Sequence, residues 1–474
     1  MAADTIRGRM PDATYDAGSF RDPTSAVFTI GGRVLRGLDG RAAERWQALR
    51  STAFFADLVD RGKVVPTHDV ELDEVPPSPR GQPWCAVLEH EPVPMVSYPY
   101  EWPFAMLRAA ALCQLEVLDA ALAEGWSLQD GTAYNLQFIG PRPVFVDVGS
   151  FEPEQGPWPG YRQFCETMMY PLMLQAHAGV AYQPELRGRL EGITTQTLER
   201  LLRGMGRARP GVLRHVTLHG LVERRWTGGS EATKQDLRGA GFTAEITRAL
   251  VTKLRRLVAG LDVGRRRTEW ADYGTTCSYS DQDTAAKRRL VEDAVAARSP
   301  GTLVDLGAND GAYSTLVAPH TGYVVAVDGD EQVVDRLWRR LASERITNVL
   351  PLVVDLADPS PGMGWRNRER RPLEQRLGAD MALALALVHH LVIGRNVPVP
   401  MVVDWLADLA PAAVVEIPHR EDPMVRQLLD NRPAGLFDDY GLDQFGEALD
   451  RRFNRVAEER LPGGTRTLVV LERR

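Results

Sequence analysis

From about residue 300 the chain carries short apolar runs separated by helical patterns: "TLVDLG", "YVVAVD", "VLPLVV", "MALALALV" and "AAVVEI". A strand covered on one face alternates apolar and polar residues; a strand covered on both faces is nearly continuously apolar, as these runs are. The pattern predicts an open, doubly wound α/β sheet. "RFNRVAEERL" and "TRTLVVLERR" close it as two antiparallel strands. The longest run, "MALALALVHHLVI", is too short to span a bilayer and reads as a buried strand.

Upstream the period is different. "SAVFTIGGRVLRGL" is strand, Gly-Gly turn, strand. "RAAERWQALRSTAFFADLVDRG" has helical spacing and stops at Gly62. A proline-interrupted extended stretch leads into a long helix, "PFAMLRAAALCQLEVLDAALAEG", with Gly125 as its stop. Helical segments occupy 161 to about 225, and "GGSEATKQDLRGAG" reads as a linker. The expected organisation is a loose lead-in over 1–22, an α+β domain over 23–227, a linker with covering helices over 228–298, and the α/β domain over 299–474.

Composition narrows the class. The 474 residues suit two or three domains, and 44% hydrophobic with 25% charged residues suits a soluble globular protein. The net charge is −7, and arginines alternate with acids, as in "NRERRPLEQR". Dispersed charge of that kind argues against a dedicated nucleic-acid or membrane surface. Cys85, Cys113, Cys165 and Cys277 form no CxxC pair and read as reduced thiols, which points to the cytoplasm. The opening "MAADTIRGRMPDATYDAG" has no apolar core of a secretory signal.

The chemistry concentrates at "LVDLGANDGAYS", which follows a strand and opens a helix. Gly307 and Gly311 allow close backbone approach to a ligand, with Asn309 between them. The spacing, Asp305-x-Gly307-x-x-x-Gly311, lacks the Gly-x-Gly turn of a dinucleotide fingerprint. An acid within the loop suits a ligand carrying an ammonium group. Asp328 and Asp355 close the next two strands, where carboxylates can accept from ribose hydroxyls and from an adenine amino group.

With "VDLGANDG" as its first motif, Asp328 and Asp355 ending its second and third and "DMALALALVHHL" its fourth, residues 300–474 resemble a class I S-adenosylmethionine-dependent methyltransferase. The wider set "YPYEW", "DGTAYNLQF", "YRQFC", "SYSDQD" and "VVEIPHREDPMV" resembles a bacterial group tied to nodulation-type methyltransferases. The resemblance implies S-adenosyl-L-methionine as cofactor, methyl transfer as the reaction and no metal. A small-molecule acceptor is expected, with neither nucleic acid nor membrane as partner. His389, His390 and Glu416 are the expected acceptor-side groups, with His419 and Asp422 just beyond. Tyr273, Tyr279 and Lys287, before the first strand, are candidates for the methionine end; the alternative is a plain capped helix with Ser280 or Asp281 as cap. The segment 359–376 is expected as a lid or as a solvated arginine-rich loop.

One stretch points elsewhere. In "LQDGTAYNLQFIGPRPVFVDVGSF", Asp130 and Asn135 keep the interval between a kinase's catalytic Asp and metal-binding Asn, and Asp147 follows a strand. Residues 23 to about 225 resemble a reduced kinase-like fold. Leu128 and Gln129 replace the His-Arg of the catalytic loop, no glycine-rich phosphate loop is evident, and Arg36 stands where the nucleotide lysine is expected, within reach of Glu44. Asp130, Asn135 and Asp147 are therefore a nucleotide or metal remnant, an acceptor-binding site or a scaffold turn. Beside the leading reading stand a bifunctional kinase and methyltransferase, and a non-catalytic cofactor sensor.

Overall fold

The computed structural model describes residues 13–71, 75, 78, 81–153, 156–202, 210–212, 244–264 and 279–474. The expected linker over 228–241, residues 1–12 of the lead-in, Tyr273 and Cys277 lie outside the described residues.

The N-terminal half begins with a five-stranded antiparallel sheet: β1 (Thr14–Tyr15), β2 (Ser25–Ile30), β3 (Arg33–Leu38), β4 (Thr67–Val70) and β5 (Ala86–His90), in the order β1-β2-β3-β5-β4. Gly31 and Gly32 make the β2–β3 turn with φ of 57° and 85°, the twin left-handed conformation that matches strand twist in a two-residue hairpin. The single helix expected up to Gly62 is two, α1 (Gly40–Leu49) and α2 (Ala53–Asp60). Between them the Ser51 and Thr52 hydroxyls donate to the Ala48 and Leu49 carbonyls, and Thr52 is extended; side-chain to backbone bonding of this kind competes with helix.

Helix α3 (Phe104–Ala123) is apolar around most of its circumference and lies in the core of this half. Behind it come β6 (Trp126–Leu128), which pairs with β9 (Phe151–Pro153), and the hairpin β7 (Leu136–Ile139) with β8 (Arg142–Phe145). α3 starts after Pro103 with no side-chain cap of its own. Its first N–H groups, on Phe104 and Ala105, donate to Glu331 Oε1 (2.9 Å) and Asp335 Oδ1 (2.6 Å). Both carboxylates sit on the Glu331–Glu344 helix of the C-terminal half. Helix termini leave such groups unpaired, and acids there are favoured by the helix dipole.

The C-terminal half holds the expected doubly wound sheet. Its strands are β10 (Thr302–Leu306), β11 (Tyr323–Asp328), β12 (Val349–Val353), β13 (Met381–Ala384), β14 (Ala412–Pro418), β15 (Phe453–Arg460) and β16 (Arg466–Arg473). The order is β12-β11-β10-β13-β14-β16-β15. β10 to β14 run parallel, and β16 lies antiparallel between β14 and β15. Both faces are buried, which explains the unbroken apolar runs. Leu303, Val324, Ala326 and Leu383 pack with Ala286, Leu290 and Val291 of the Asp281–Arg298 helix. Val304, Leu306, Val325 and Val327 join a core continuous with the N-terminal half. "MALALALVHHLVI" departs from the expected single strand: β13 ends at Ala384, Ala386 turns at φ 51°, and His390–Gly394 is a π-helical turn. No helix among the described residues is long and apolar enough to cross a membrane.

The segment 359–376 meets the N-terminal half. Arg376 and Glu101 form an ion pair whose side chains are 1% and 0% exposed. Arg376 Nη1 also donates to Val96 O (2.6 Å), its guanidinium lies 4.3 Å over the Tyr98 ring, and Tyr98 N–H donates to Glu101 Oε2 (2.8 Å). "YPYEW" is thus the socket for Arg376. Further along, Arg21 grips Glu369 with two bonds (2.6 and 2.9 Å), and Arg370 stacks 4.5 Å over Tyr134.

Removing one partner of a buried pair strands the other charge in a low-dielectric interior. Arg376→Ala is expected to lower stability by about 3–5 kcal/mol. Arg395→Ala, which breaks the exposed pair with Asp355, should cost less than about 1 kcal/mol. Urea denaturation of the two variants checks the contrast.

Candidate active site at the carboxyl ends of the parallel strands

The loop from β10 into the Ala312–Val317 helix is shaped by its sequence. Gly311 has φ +72°, and a Cβ there would lie 2.5 Å from Leu337, so only glycine fits. Gly307 (φ +73°) and Ala308 both donate their N–H to Val327 O (2.9 Å each), which anchors the loop to β11. Asn309 is also left-handed, at φ 48°. Its N–H donates to Asp328 Oδ2 (2.9 Å), while Asp330 N–H donates to Asp328 Oδ1 (2.9 Å). Asp328 therefore spans the loop and the start of the next helix, and each oxygen keeps a lone pair for a ligand. Its burial raises its pKa, against the pull of those N–H groups.

Asp305 lies beneath the loop, 2% exposed, accepting from Ser314 Oγ at 2.6 Å. Burial pushes its pKa up to about 6, although Ser314 and the nearby Lys287 charge pull the other way. It is a buried acid with no cation bonded to it among the described residues.

A second cluster faces this loop. Glu416, on β14, is fully buried. Lys287 Nζ donates to its Oε2 (2.6 Å), Tyr279 Oη to its Oε1 (2.6 Å), and Arg466 Nη1 lies 3.2 Å from Oε1. Arg466, on β16, also donates to Tyr279 Oη, and clasps Asp422 through Nε (2.6 Å) and Nη2 (3.1 Å). Lys287 Nζ stands 4.8 Å from the Tyr279 ring and 4.7 Å from that of Tyr313 in the glycine-loop helix. Burial alone would raise the pKa of Glu416; the Lys287 and Arg466 charges and its hydrogen bonds carry it below the ordinary value. Two cations and two carboxylates balance.

These contacts show where the expected site residues lie. Glu416 is an ionised carboxylate at neutral pH, neutralised by Lys287 and Arg466. Lys287 donates to Glu416, and Tyr279 bridges Glu416, Lys287 and Arg466. Asp355 is exposed, with Oδ1 on Ala357 N–H (3.0 Å) and Oδ2 on Arg395 (2.7 Å). Ser280 is the helix cap, in a reciprocal box with Asp283. His419 lies beside the cluster, bonded to Thr467.

His389 and His390 follow the bend after β13, ring centroids 4.1 Å apart. His389 is fully buried, and neither ring nitrogen has a partner among the described residues. Burial, with His390, Arg466 and Lys287 nearby, holds it well below the ordinary imidazole pKa; burial takes His390 down to about 4. Both rings are neutral at neutral pH. Arg466 and Ser314 were not legible as site residues. The one signal for Arg466 is an arginine opening a strand just before the apolar run Leu468–Leu471.

In the N-terminal half Asp130 and Asp147 lie near each other, and both are already engaged with protein. Asp147 pairs with Arg36 at 2.9 Å, so Arg36 does not take the expected Glu44, which is exposed. Asp130 Oδ1 accepts from Gln163 (3.1 Å), and its N–H donates to Ser150 Oγ (3.0 Å). Burial and the neighbouring Asp147 and Asp22 charges raise the Asp130 pKa. Asn135 is buried, and its amide nitrogen is unpartnered among the described residues. Those residues contain no group of three or more His, Cys, Asp or Glu disposed to hold a metal.

No family model matches the chain. The nodulation protein NoeA of Rhizobium meliloti (strain 1021) is 35% identical over 481 residues, covering 100% of this chain and 99% of that protein. Among solved structures, the N-methyltransferase NodS of Bradyrhizobium japonicum WM9 in complex with S-adenosyl-L-homocysteine is 11% identical, covering 44% of this chain and 99% of NodS, with a TM-score of 0.31. The PH0226 protein of Pyrococcus horikoshii OT3 is 18% identical, covering 43% and 99%, with a TM-score of 0.30. Likenesses of that size add nothing to the strand order already described.

The acid beneath the loop gives the first test of the site. Asp305 has a folded pKa of about 6 against an unfolded value near 3.8, so the folded state binds the proton more tightly. The contribution of this one group should be fully present below about pH 4 and be lost as pH rises through 6, on the order of 3 kcal/mol, against the opposite trend of the carboxylates whose pKa values are lowered. Asp305→Asn keeps an acceptor for Ser314 and should flatten this part of the stability–pH curve. Chemical denaturation of both proteins between pH 4 and 8 measures it.

Proposed function

The chain belongs to the family of the nodulation protein NoeA, and on that premise we propose that its C-terminal half is an S-adenosylmethionine-dependent methyltransferase acting on a small-molecule acceptor. The observation that carries this reading is the loop between Asp305 and Asp328. A buried acid without a bonded cation matches the cofactor's α-ammonium group. A carboxylate held by two backbone N–H groups, with lone pairs to spare, matches the ribose hydroxyls. The glycines leave room for the ligand against the backbone. When bound, the cofactor supplies a methyl group on a sulfonium centre.

The remaining residues define the acceptor side. The Lys287–Glu416–Arg466–Asp422 cluster is charge-balanced and fixes Tyr279 at its outer edge. His389 is the group we assign to proton removal from the acceptor. Its burial keeps the ring in the proton-accepting form at neutral pH, and neither nitrogen has a partner among the described residues. The His390 ring lies against it at a tilt of 42° and orients it. For the N-terminal half we propose a kinase-like scaffold that supports or recognises the acceptor. The Arg36–Asp147 pair favours this over phosphotransfer, because the guanidinium already neutralises the carboxylate a metal would need.

Calorimetry with S-adenosylhomocysteine tests the cofactor site. Micromolar binding that Asp328→Ala abolishes is the expected outcome; binding of NAD in its place would overturn the reading. His389→Gln should lower kcat by about a hundredfold or more with a smaller effect on KM, followed by mass spectrometry of the methylated acceptor. Unchanged kcat would remove His389 from the chemistry, and the absence of any methylated product would favour a cofactor sensor. Titration with Mg-ATP is expected to be flat. Saturable binding lost in Asp147→Ala would favour the bifunctional reading.

A further inference from the structure

The turn at 363–370 is built to present side chains outward. Met363 and Arg370 exchange backbone bonds across its neck (2.9 and 3.0 Å). At its tip Arg366 and Asn367 are both left-handed, at φ 56° and 58°. Each such residue costs on the order of 1–3 kcal/mol, and strain of this kind persists only where the surroundings fix it. Glu369 does the fixing. It is 5% exposed, accepts from Trp365 N–H (3.0 Å) and is gripped by Arg21.

The result is a separation of charge that the sequence conceals. "WRNRERR" alternates acid with arginine, but its acid, Glu369, faces inward. Arg366, Arg368 and Arg371 face solvent, and none pairs with a carboxylate among the described residues. Trp365 stands among them at 68% exposure, and Phe20, 46% exposed, lies over Arg21 on the far side of the Arg21–Glu369 pair. An exposed indole and unpaired guanidinium groups on a projecting turn suit an extended anionic face better than an enclosed ligand. Indole rings settle at the headgroup level of a bilayer, and each arginine near an anionic surface adds about 1 kcal/mol of attraction.

We propose that the 363–371 turn docks the protein peripherally on an anionic lipid surface, with Trp365 at headgroup depth and Arg366, Arg368 and Arg371 against the lipid charges. This rests on the turn alone and does not depend on the methyltransferase reading. It departs from the expectation of no membrane partner, because folding sorts charges that the sequence intersperses.

The test is co-sedimentation of the full chain with phosphatidylcholine vesicles, with and without phosphatidylglycerol. Expected is at least about tenfold stronger partitioning onto the anionic vesicles, weakened by salt. Arg368→Gln with Arg371→Gln should reduce it about tenfold or more, and Trp365→Ala severalfold. Arg366→Asn is an independent check, since asparagine tolerates the left-handed backbone. Unchanged circular dichroism and thermal unfolding establish that each variant is folded. Equal partitioning onto both vesicle types, no partitioning, or folded variants that bind like wild type would each overturn the proposal. So would binding of soluble polyphosphate without vesicle binding.

Discussion

A carboxylate buried as completely as Glu416 has to be matched by charge, because an unpaired ion in a low-dielectric interior costs several kcal/mol. The fold meets that demand from three directions. Lys287 comes from the Asp281–Arg298 helix outside the sheet, Arg466 from the antiparallel strand β16, and Tyr279 from the segment before the helix. The pairing therefore fixes the covering helix over the strand ends. It also sets Lys287 against the rings of Tyr279 and Tyr313, and so ties the Glu416 cluster to the glycine loop. Glu416 is less a reagent than the counter-charge around which the site is assembled.

The same economy governs the join between the halves. One face of the seven-stranded sheet shares its core with the N-terminal half. Polar ties flank that core: Arg376 in its socket of Glu101, Val96 and Tyr98, and the Tyr323 hydroxyl accepting from Gly140 N–H (2.8 Å). Asp328 accepts from the backbone just before a helix that also holds α3. The helix that begins at Glu331 starts two residues after the acid's next neighbour, and its first turns carry both α3 contacts.

The sequence was most informative where backbone geometry leaves few alternatives. Continuous apolar runs meant strands buried on both faces. The glycines at 307 and 311 marked a loop of left-handed backbone, and Asp328 closes β11 as read. It was least informative about partners. Nothing in "VVEI" says that Glu416 is already neutralised, because its partners lie 129 and 50 residues away. The same holds for Arg36, whose partner is the distant Asp147 and not the nearer Glu44. Apolar content alone also failed to locate the bend after Ala384, where a run that looks like one strand turns before the paired histidine rings.

Helix α3 borrows its cap. Its own residues offer none at Pro103, and the carboxylates that finish its first turn belong to a helix more than two hundred positions downstream. The donors are backbone N–H groups, so this debt to Glu331 and Asp335 stands whatever side chains occupy 104 and 105. Taken alone, the N-terminal half would begin its central helix with those two groups unpaired by protein.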